Sequence, residues 1–139
     1  MSKILSIALI VLSLLLFVTC KNQNAASAGQ TESKSGPVYT KISAQEAKQM
    51  MDEMPSITVV DVRTRQEFEA GHIEGALNIP NEIIGTSKVE GLPDLDATIL
   101  LYCRSGARSS QAARKLIALG YTNIIDFGGI INWPYEVVQ

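Results

Sequence analysis

The chain has 139 residues, of which 46% are hydrophobic and 19% are charged, so it can form one folded domain with accessory segments. Its 12 basic and 14 acidic residues give a formal net charge of −2, which argues against a general nucleic-acid-binding surface because such a surface needs a basic patch. Any affinity for anions must therefore be local.

The N-terminus has the pattern of an export signal. Lys3 supplies a positive start, and the run 4–18 is apolar apart from two serines but shorter than the about 20 residues of a spanning helix. The residues ending at Cys20 resemble a bacterial lipoprotein signal, although Phe and Thr stand where Leu and a small residue are usual. We predict a signal peptide over 1–20, a lipid on Cys20, and a location in the cell envelope, facing the periplasm or the cell exterior. Cleavage after Ala28 and an uncleaved membrane anchor are the alternatives.

Residues 21–37 are small and polar, without periodic apolar positions, which predicts a flexible tether. The folded domain is expected over 38–139. Within it, Ser43–Glu46 and Thr64–Glu67 are capping boxes, which predict helices that end near Met54 and Gly71.

The remaining elements follow from hydrophobic patterning. A helical turn is expected within 81–91, a loop over 92–97, and an amphipathic helix over 109–119, followed by Gly120 at its C-terminal cap. The predicted strands are 38–42, 57–60, 76–79, 98–102 and 124–127. This alternation predicts an α/β fold with a parallel sheet and places Cys103 at the carboxyl end of a strand, where such sheets bind ligands.

The segment 102–109 (Tyr-Cys-Arg-Ser-Gly-Ala-Arg-Ser) carries the predicted chemistry. A strand that ends on a thiol and turns tightly into a helix start forms an anion cradle of backbone N–H groups. In that field Cys103 should ionise more readily than a free thiol and act as a nucleophile. The alternative is a buried structural cysteine.

The cysteine and histidine counts limit other chemistry. The chain holds two cysteines. If Cys20 carries lipid or is cleaved away, Cys103 has no intramolecular disulfide partner. His72 is the only histidine, so we expect no metal site and no cofactor.

A series of short motifs over residues 40–133 resembles a single-domain rhodanese. In chain order they are Asp61-Val62-Arg63, Glu67-Phe68, Gly71–Ala76, Asn78-Ile79-Pro80, Cys103–Gly106, Arg108-Ser109, Gly128–Ile130 and Trp133. The resemblance implies a central parallel sheet with helices on both faces and a sulfurtransferase whose cysteine, Cys103, cycles through a persulfide. The implied donor is a small sulfur-containing anion such as thiosulfate or a polysulfide, and the implied acceptor is cyanide or a thiol.

The loop after Cys103 is expected to bind the donor. The predicted cradle consists of the backbone amides of Arg104, Ser105, Gly106, Ala107, Arg108 and Ser109. Gly106 permits tight backbone geometry, and Arg104 and Arg108 are expected to bind the donor's anionic end. Alternatively, one of these arginines pairs with an acidic residue and only braces the loop.

Other conspicuous residues are expected to be structural. Asp61 and Arg63 should brace neighbouring loops, and His72 should be a hydrogen-bonded turn residue. Gly128-Gly129 should permit close backbone approach at the rim of the site, and Trp133 should pack in the interior.

Two rival functions remain open at this point. Cysteine phosphatases and arsenate reductases also use a cysteine, an anion cradle and an arginine. Four residues separate Cys103 from Arg108, one fewer than in cysteine phosphatases, and the shorter loop suits a sulfur atom better than a tetrahedral phosphate. A non-catalytic module that carries sulfur or binds a partner is the other rival.

Overall fold

The computed structural model describes residues 36–85, 87–92 and 94–139. These ranges include the predicted domain except for two loop positions. The predicted leader, Cys20 and the tether up to residue 35 lie outside the described residues. In the part that is described, no helix has the length and apolar character needed to cross a membrane.

A parallel five-stranded sheet forms the centre of the domain, with strand order β1-β5-β4-β2-β3. The strands are β1 (Val38–Lys41), β2 (Thr58–Asp61), β3 (Leu77–Asn78), β4 (Thr98–Cys103) and β5 (Asn123–Gly129). The helices are α1 (Ala44–Glu53), α2 (Arg65–Glu69), α3 (Ala107–Ala118) and a 3₁₀-helix (Ile130–Asn132). Strand β4 lies in the middle of the sheet, so its carboxyl end is flanked by β5 and β2.

Both faces of the sheet are covered, which confirms the predicted α/β architecture. Successive residues of β4 point to opposite faces. Leu101 lies in a buried cluster with Ala113 of α3. Leu100 lies in a second buried cluster with Ala47 of α1 and with Trp133. The sheet is therefore buried between helices on its two sides, as expected for near-continuous apolar strands.

The two predicted capping boxes are confirmed. The Ser43 hydroxyl accepts from the backbone N–H of Glu46, whose carboxylate accepts from the N–H of Ser43 at 2.8 Å. Thr64 and Glu67 make the same reciprocal pair at the start of α2. Local hydrogen bonds thus fix where both helices begin.

Several predicted boundaries differ from the structure by one or two residues, and the start of α3 is the one that bears on the site. Helix α3 begins at Ala107, two positions before the predicted start, because Gly106 at φ +99° turns the chain directly into the helix. The first turn, which faces the site, lacks the apolar periodicity that marks the rest of α3. In the described part of 81–91, the expected helical turn is a single turn in which the N–H of Ile83 bonds to the carbonyl of Pro80, and no longer helix forms.

Candidate active site

Cys103 is the last residue of β4 and lies at the carboxyl edge of the sheet. Its relative exposure is only 1%, so the thiol is covered by the loop that follows it. The neighbouring loop residues Arg104, Ser105 and Ala107 are exposed. A nucleophile here is reached through the loop and not from the open surface.

The thiol is held by the turn into α3. Cys103 Sγ accepts a hydrogen bond from the backbone N–H of Gly106 at 3.0 Å. The left-handed conformation of Gly106, at φ +99°, suits a residue without a side chain. Ser109 Oγ lies 3.8 Å from Sγ on the first turn of α3. The predicted N–H cradle is therefore folded back onto the sulfur itself.

The surroundings of Cys103 favour its ionised form. Burial alone raises the pKa of the thiol. Hydrogen bonds from the backbone N–H groups of Ser109, Gly106 and Ser105 and from the Ser109 hydroxyl together lower this pKa by more than burial raises it. The net effect is a pKa below that of an ordinary cysteine. A buried cysteine with only a packing role would have its pKa raised.

The two loop arginines differ in their surroundings. Arg108 makes a bidentate ion pair with Glu67, with Nη1–Oε2 at 2.6 Å and Nη2–Oε1 at 2.7 Å. This is the bracing alternative that the sequence left open for one of the arginines. Arg104 is exposed, and within the described part of the chain its guanidinium has no hydrogen bond or ion pair. The cation that remains available at the loop is thus Arg104.

Glu67 is a site residue that the sequence pattern did not indicate as one. Its place in the capping box accounted for Glu67 as a residue of the helix start. Its carboxylate, however, also forms the ion pair with Arg108 of α3. Its hydrogen bonds from the Arg108 side chain lower the pKa of Glu67 to about 2, and burial opposes this only in part. The carboxylate is therefore ionised at any physiological pH.

Asp61 and Arg63 brace the loops beside the site, as predicted. Arg63 Nη2 donates to Asp61 Oδ2 at 2.6 Å and to the carbonyl of Gly71 at 2.7 Å, and both side chains of the pair are buried. His72 is a turn residue, also as predicted, with Nδ1 3.0 Å from the carbonyl of Phe68 and its ring stacked on the Phe68 ring. These contacts serve the scaffold and not the thiol.

Gly129 allows β5 to pass directly beneath the Cys103 loop. A Cβ on Gly129 would clash with the carbonyl oxygen of Arg104 and lie 2.7 Å from the Cα of Ser105. The predicted close backbone approach is confirmed at Gly129. Gly128, where a Cβ would meet nothing within 4 Å, instead has the left-handed φ of +87°. The peptide at 104–105 and strand β5 therefore share one tightly packed layer.

A buried carboxylate that the sequence pattern did not indicate, Asp126, sets this geometry in β5. The register between β4 and β5 shifts after Leu101, which leaves an irregularity in front of Gly129. Asp126 Oδ1 accepts from the N–H of Gly128 at 2.9 Å, and Oδ2 accepts from Tyr39 and Ser110. One buried side chain thus ties the irregular strand end to β1 and to α3.

Trp133 packs in the interior, as predicted, with its ring centroid 5.6 Å from that of Phe127. In the described ranges, no group of three or more His, Cys, Asp and Glu side chains is arranged to hold a metal ion. The described site brings together the Cys103 sulfur, its N–H donors and the exposed guanidinium of Arg104.

Comparison with known proteins gives consistent matches. Residues 43–134 match the Rhodanese-like domain family. A sulfurtransferase of Allochromatium vinosum is 36% identical over 97 residues, which cover 69% of this chain and 89% of the relative. The thiosulfate sulfurtransferase PspE of Escherichia coli (strain K12) is 34% identical over 71 residues, or 51% of this chain and 68% of the relative.

Solved structures agree in fold. An Escherichia coli rhodanese with anions superposes with a TM-score of 0.53 at 30% identity, covering 60% of this chain and 98% of that one. The human single-domain sulfurtransferase TSTD1 superposes with a TM-score of 0.58 at 26% identity, covering 71% of this chain and 95% of that one.

Proposed function

Because this chain belongs to the rhodanese-like domain family, we propose that it is a sulfurtransferase that carries sulfane sulfur as a persulfide on Cys103. The observation that carries the proposal is the buried thiol at the end of β4, whose pKa is lowered by N–H donors from its own loop. A sulfur carrier needs this combination, since the thiolate is the attacking species and the cysteine must also be protected from bulk reagents.

The proposed reaction has two displacement steps. In the first, the Cys103 thiolate attacks the terminal sulfur of thiosulfate, a sulfur–sulfur bond forms, and the donor's own sulfur–sulfur bond breaks as sulfite leaves with the electron pair. In the second, cyanide or a thiolate attacks the outer sulfur, and the bonding pair returns to Cys103. No outside oxidant or reductant is required, because each step exchanges one bond to the transferred sulfur for another, and the electron pair of the broken bond leaves with sulfite in the first step and returns to Cys103 in the second.

The loop residues have distinct proposed roles. The N–H groups of Ser105, Gly106 and Ser109 stabilise negative charge on sulfur before attack and after release. Arg104 attracts the anionic end of the donor. Arg108, whose two Nη groups are both bonded to Glu67, holds α2 against the loop. This pairing also disfavours a phosphatase role, since a phosphate would need that guanidinium free to bind its oxygens.

Sulfur loading and turnover together test the proposal. The protein should gain the mass of one sulfur atom on the Cys103 peptide after incubation with thiosulfate, and should form thiocyanate when cyanide is added. Loading without turnover would indicate the sulfur-carrier alternative. Absence of both with thiosulfate and with polysulfide would overturn the catalytic function, and phosphate release from an aryl phosphate would support the phosphatase.

The pH profile of loading follows from the lowered pKa of Cys103. Only the thiolate attacks, so the rate should rise with pH and reach its plateau at a lower pH than for a free thiol of pKa about 8.5. The measurement is the rate of persulfide formation against pH, with free cysteine and the same donor as the reference. A midpoint at or above that of free cysteine would contradict the proposed activation.

We further propose that the leader exports the protein and that Cys20 anchors it by lipid to a bacterial membrane. The positive start, the short apolar run 4–18 and the cysteine that follows support this proposal. Mass spectrometry of membrane-extracted protein should show acyl groups on Cys20 at the mature N-terminus. A mature chain that begins after Ala28 would refute it.

A further inference from the structure

The charges around the Cys103 loop are unequally paired. Within the loop 103–109 there are two cations, Arg104 and Arg108. Hydrogen bonds to Glu67 raise the pKa of Arg108, and the charges of Glu67, Cys103 and Glu82 act in the same direction. The Arg108 guanidinium thus interacts with the charge of the Cys103 thiolate, but the carboxylates of Glu67 and Glu82 largely offset its positive charge.

Glu67 is not free to release Arg108. Its Oε2 also accepts from the backbone N–H and the hydroxyl of Thr64, each at 3.0 Å, as part of the α2 capping box. The ion pair is partly buried, with side-chain exposures of 25% for Arg108 and 30% for Glu67. The carboxylate is therefore held from both sides, and swinging away would break the helix cap as well as the ion pair.

We propose that Glu67 sets the charge selectivity of sulfur transfer: by occupying the Arg108 guanidinium, it makes the site disfavour doubly charged donors relative to singly charged ones. This inference rests on the proposed function and concerns the same site. A doubly charged donor that approaches the Cys103 thiolate needs more than one cation to offset the repulsion. Arg104 alone offers only one.

Two donors isolate the effect of charge. Thiosulfate and methanethiosulfonate both present a terminal sulfur on a sulfonyl group, but a methyl group replaces one charged oxygen in the second. Attack by Cys103 forms the same persulfide from each. The leaving groups are sulfite and methanesulfinate, each departing with the electron pair of the broken sulfur–sulfur bond. The ratio of the two loading rates therefore reports how the site treats the extra negative charge.

The test is the Glu67→Gln variant of the full chain, purified in detergent and compared with the unaltered protein at one fixed ionic strength. Glutamine preserves the capping box but removes the negative charge, which frees Arg108 for the donor. We expect the thiosulfate-to-methanethiosulfonate ratio of second-order loading rates to rise about three- to tenfold, the effect of one unit charge several ångströms away near a protein surface. The measured quantity is persulfide on the Cys103 peptide.

Matched variants separate charge from structure. Glu69→Gln makes the same charge change on the same helix, at an exposed side chain paired with Arg65, and should leave the ratio unchanged. Thr64→Ala weakens the α2 cap but keeps the Glu67 charge, so it should also leave the ratio unchanged. Adding Arg108→Gln to Glu67→Gln should abolish the gain, because the released cation is then gone.

Three outcomes would overturn the inference. In the first, Glu67→Gln changes both loading rates in parallel, which means a structural role only. In the second, the ratio falls. In the third, Glu69→Gln raises the ratio equally, which means a general field effect. Failure of the unaltered protein to load sulfur from either donor is distinguishable from these, because it overturns the proposed function itself.

Discussion

Replacement of Cys103 by serine should reduce sulfur transfer by about three orders of magnitude or more, the scale seen when a covalent nucleophile is removed. A serine hydroxyl does not ionise at neutral pH and cannot form a persulfide. The N–H of Gly106 and the hydroxyl of Ser109 hold the native sulfur but provide no base to activate a hydroxyl. The measurement is thiocyanate formation from thiosulfate and cyanide, with mass analysis of the 103 peptide.

The control for Cys103→Ser is a measurement of stability, which should show that the variant still folds. Serine is close in size to cysteine and still offers an acceptor to the N–H of Gly106, so the midpoint of thermal unfolding should change little. Cys20→Ser should retain sulfur transfer, because the proposed chemistry uses the other thiol. Thiocyanate formation by Cys103→Ser at the rate of the unaltered protein would show that Cys103 is not the sulfur carrier.

Gly129→Ala should both destabilise the domain and slow persulfide formation. The added Cβ would collide with backbone atoms of the loop, lying 2.7 Å from the Cα of Ser105 and 2.9 Å from the carbonyl carbon of Arg104. Backbone cannot move aside as a flexible side chain can, so the free energy of unfolding should fall by about 1–3 kcal/mol, as for other overpacked sites. The same displacement would shift the N–H donors that hold the Cys103 sulfur.

Denaturant unfolding and the loading rate measure the two effects of Gly129→Ala. Gly85→Ala is the matched control, because a Cβ there lies 3.9 Å from its nearest neighbour, the carbonyl oxygen of Ile83. It should leave both measurements nearly unchanged. If Gly129→Ala is as stable and as fast to load as the control, the loop does not depend on this packing.

Local signals predicted most of the fold. The capping boxes at Ser43 and Thr64 located two helix starts, since the hydrogen bonds that define them join residues three positions apart. The parallel sheet and its buried strands were expected from the apolar runs between the helices, and Cys103 lies at the carboxyl end of a strand, as predicted. The order of the strands within the sheet was not predicted. The start of α3 was placed too late because its first turn faces the site, where hydrophobic periodicity gives no signal.

The pairing of charges in the site could not be predicted in the same way. Arg108 and Glu67 are 41 positions apart in the chain, and their contact depends on how α2 and α3 are placed by the sheet. Asp126 is a similar case, because only the folded structure shows its donors from β1 and α3. The sequence therefore predicted Cys103 and its loop as the candidate site, but not which of the two loop arginines is paired with a carboxylate.

The hydrogen bond from Tyr39 to Asp126 bears on where the functional domain begins. The family match starts at residue 43, whereas β1 spans Val38–Lys41 and pairs along its length with β5. A truncation at the start of the match would expose an edge of β5 and remove the Tyr39 hydroxyl, which lies 3.1 Å from the carboxylate that holds Gly128. The minimal unit for recombinant work is therefore longer than the region that matches the family, and β1 belongs to the part of the fold that shapes the Cys103 loop.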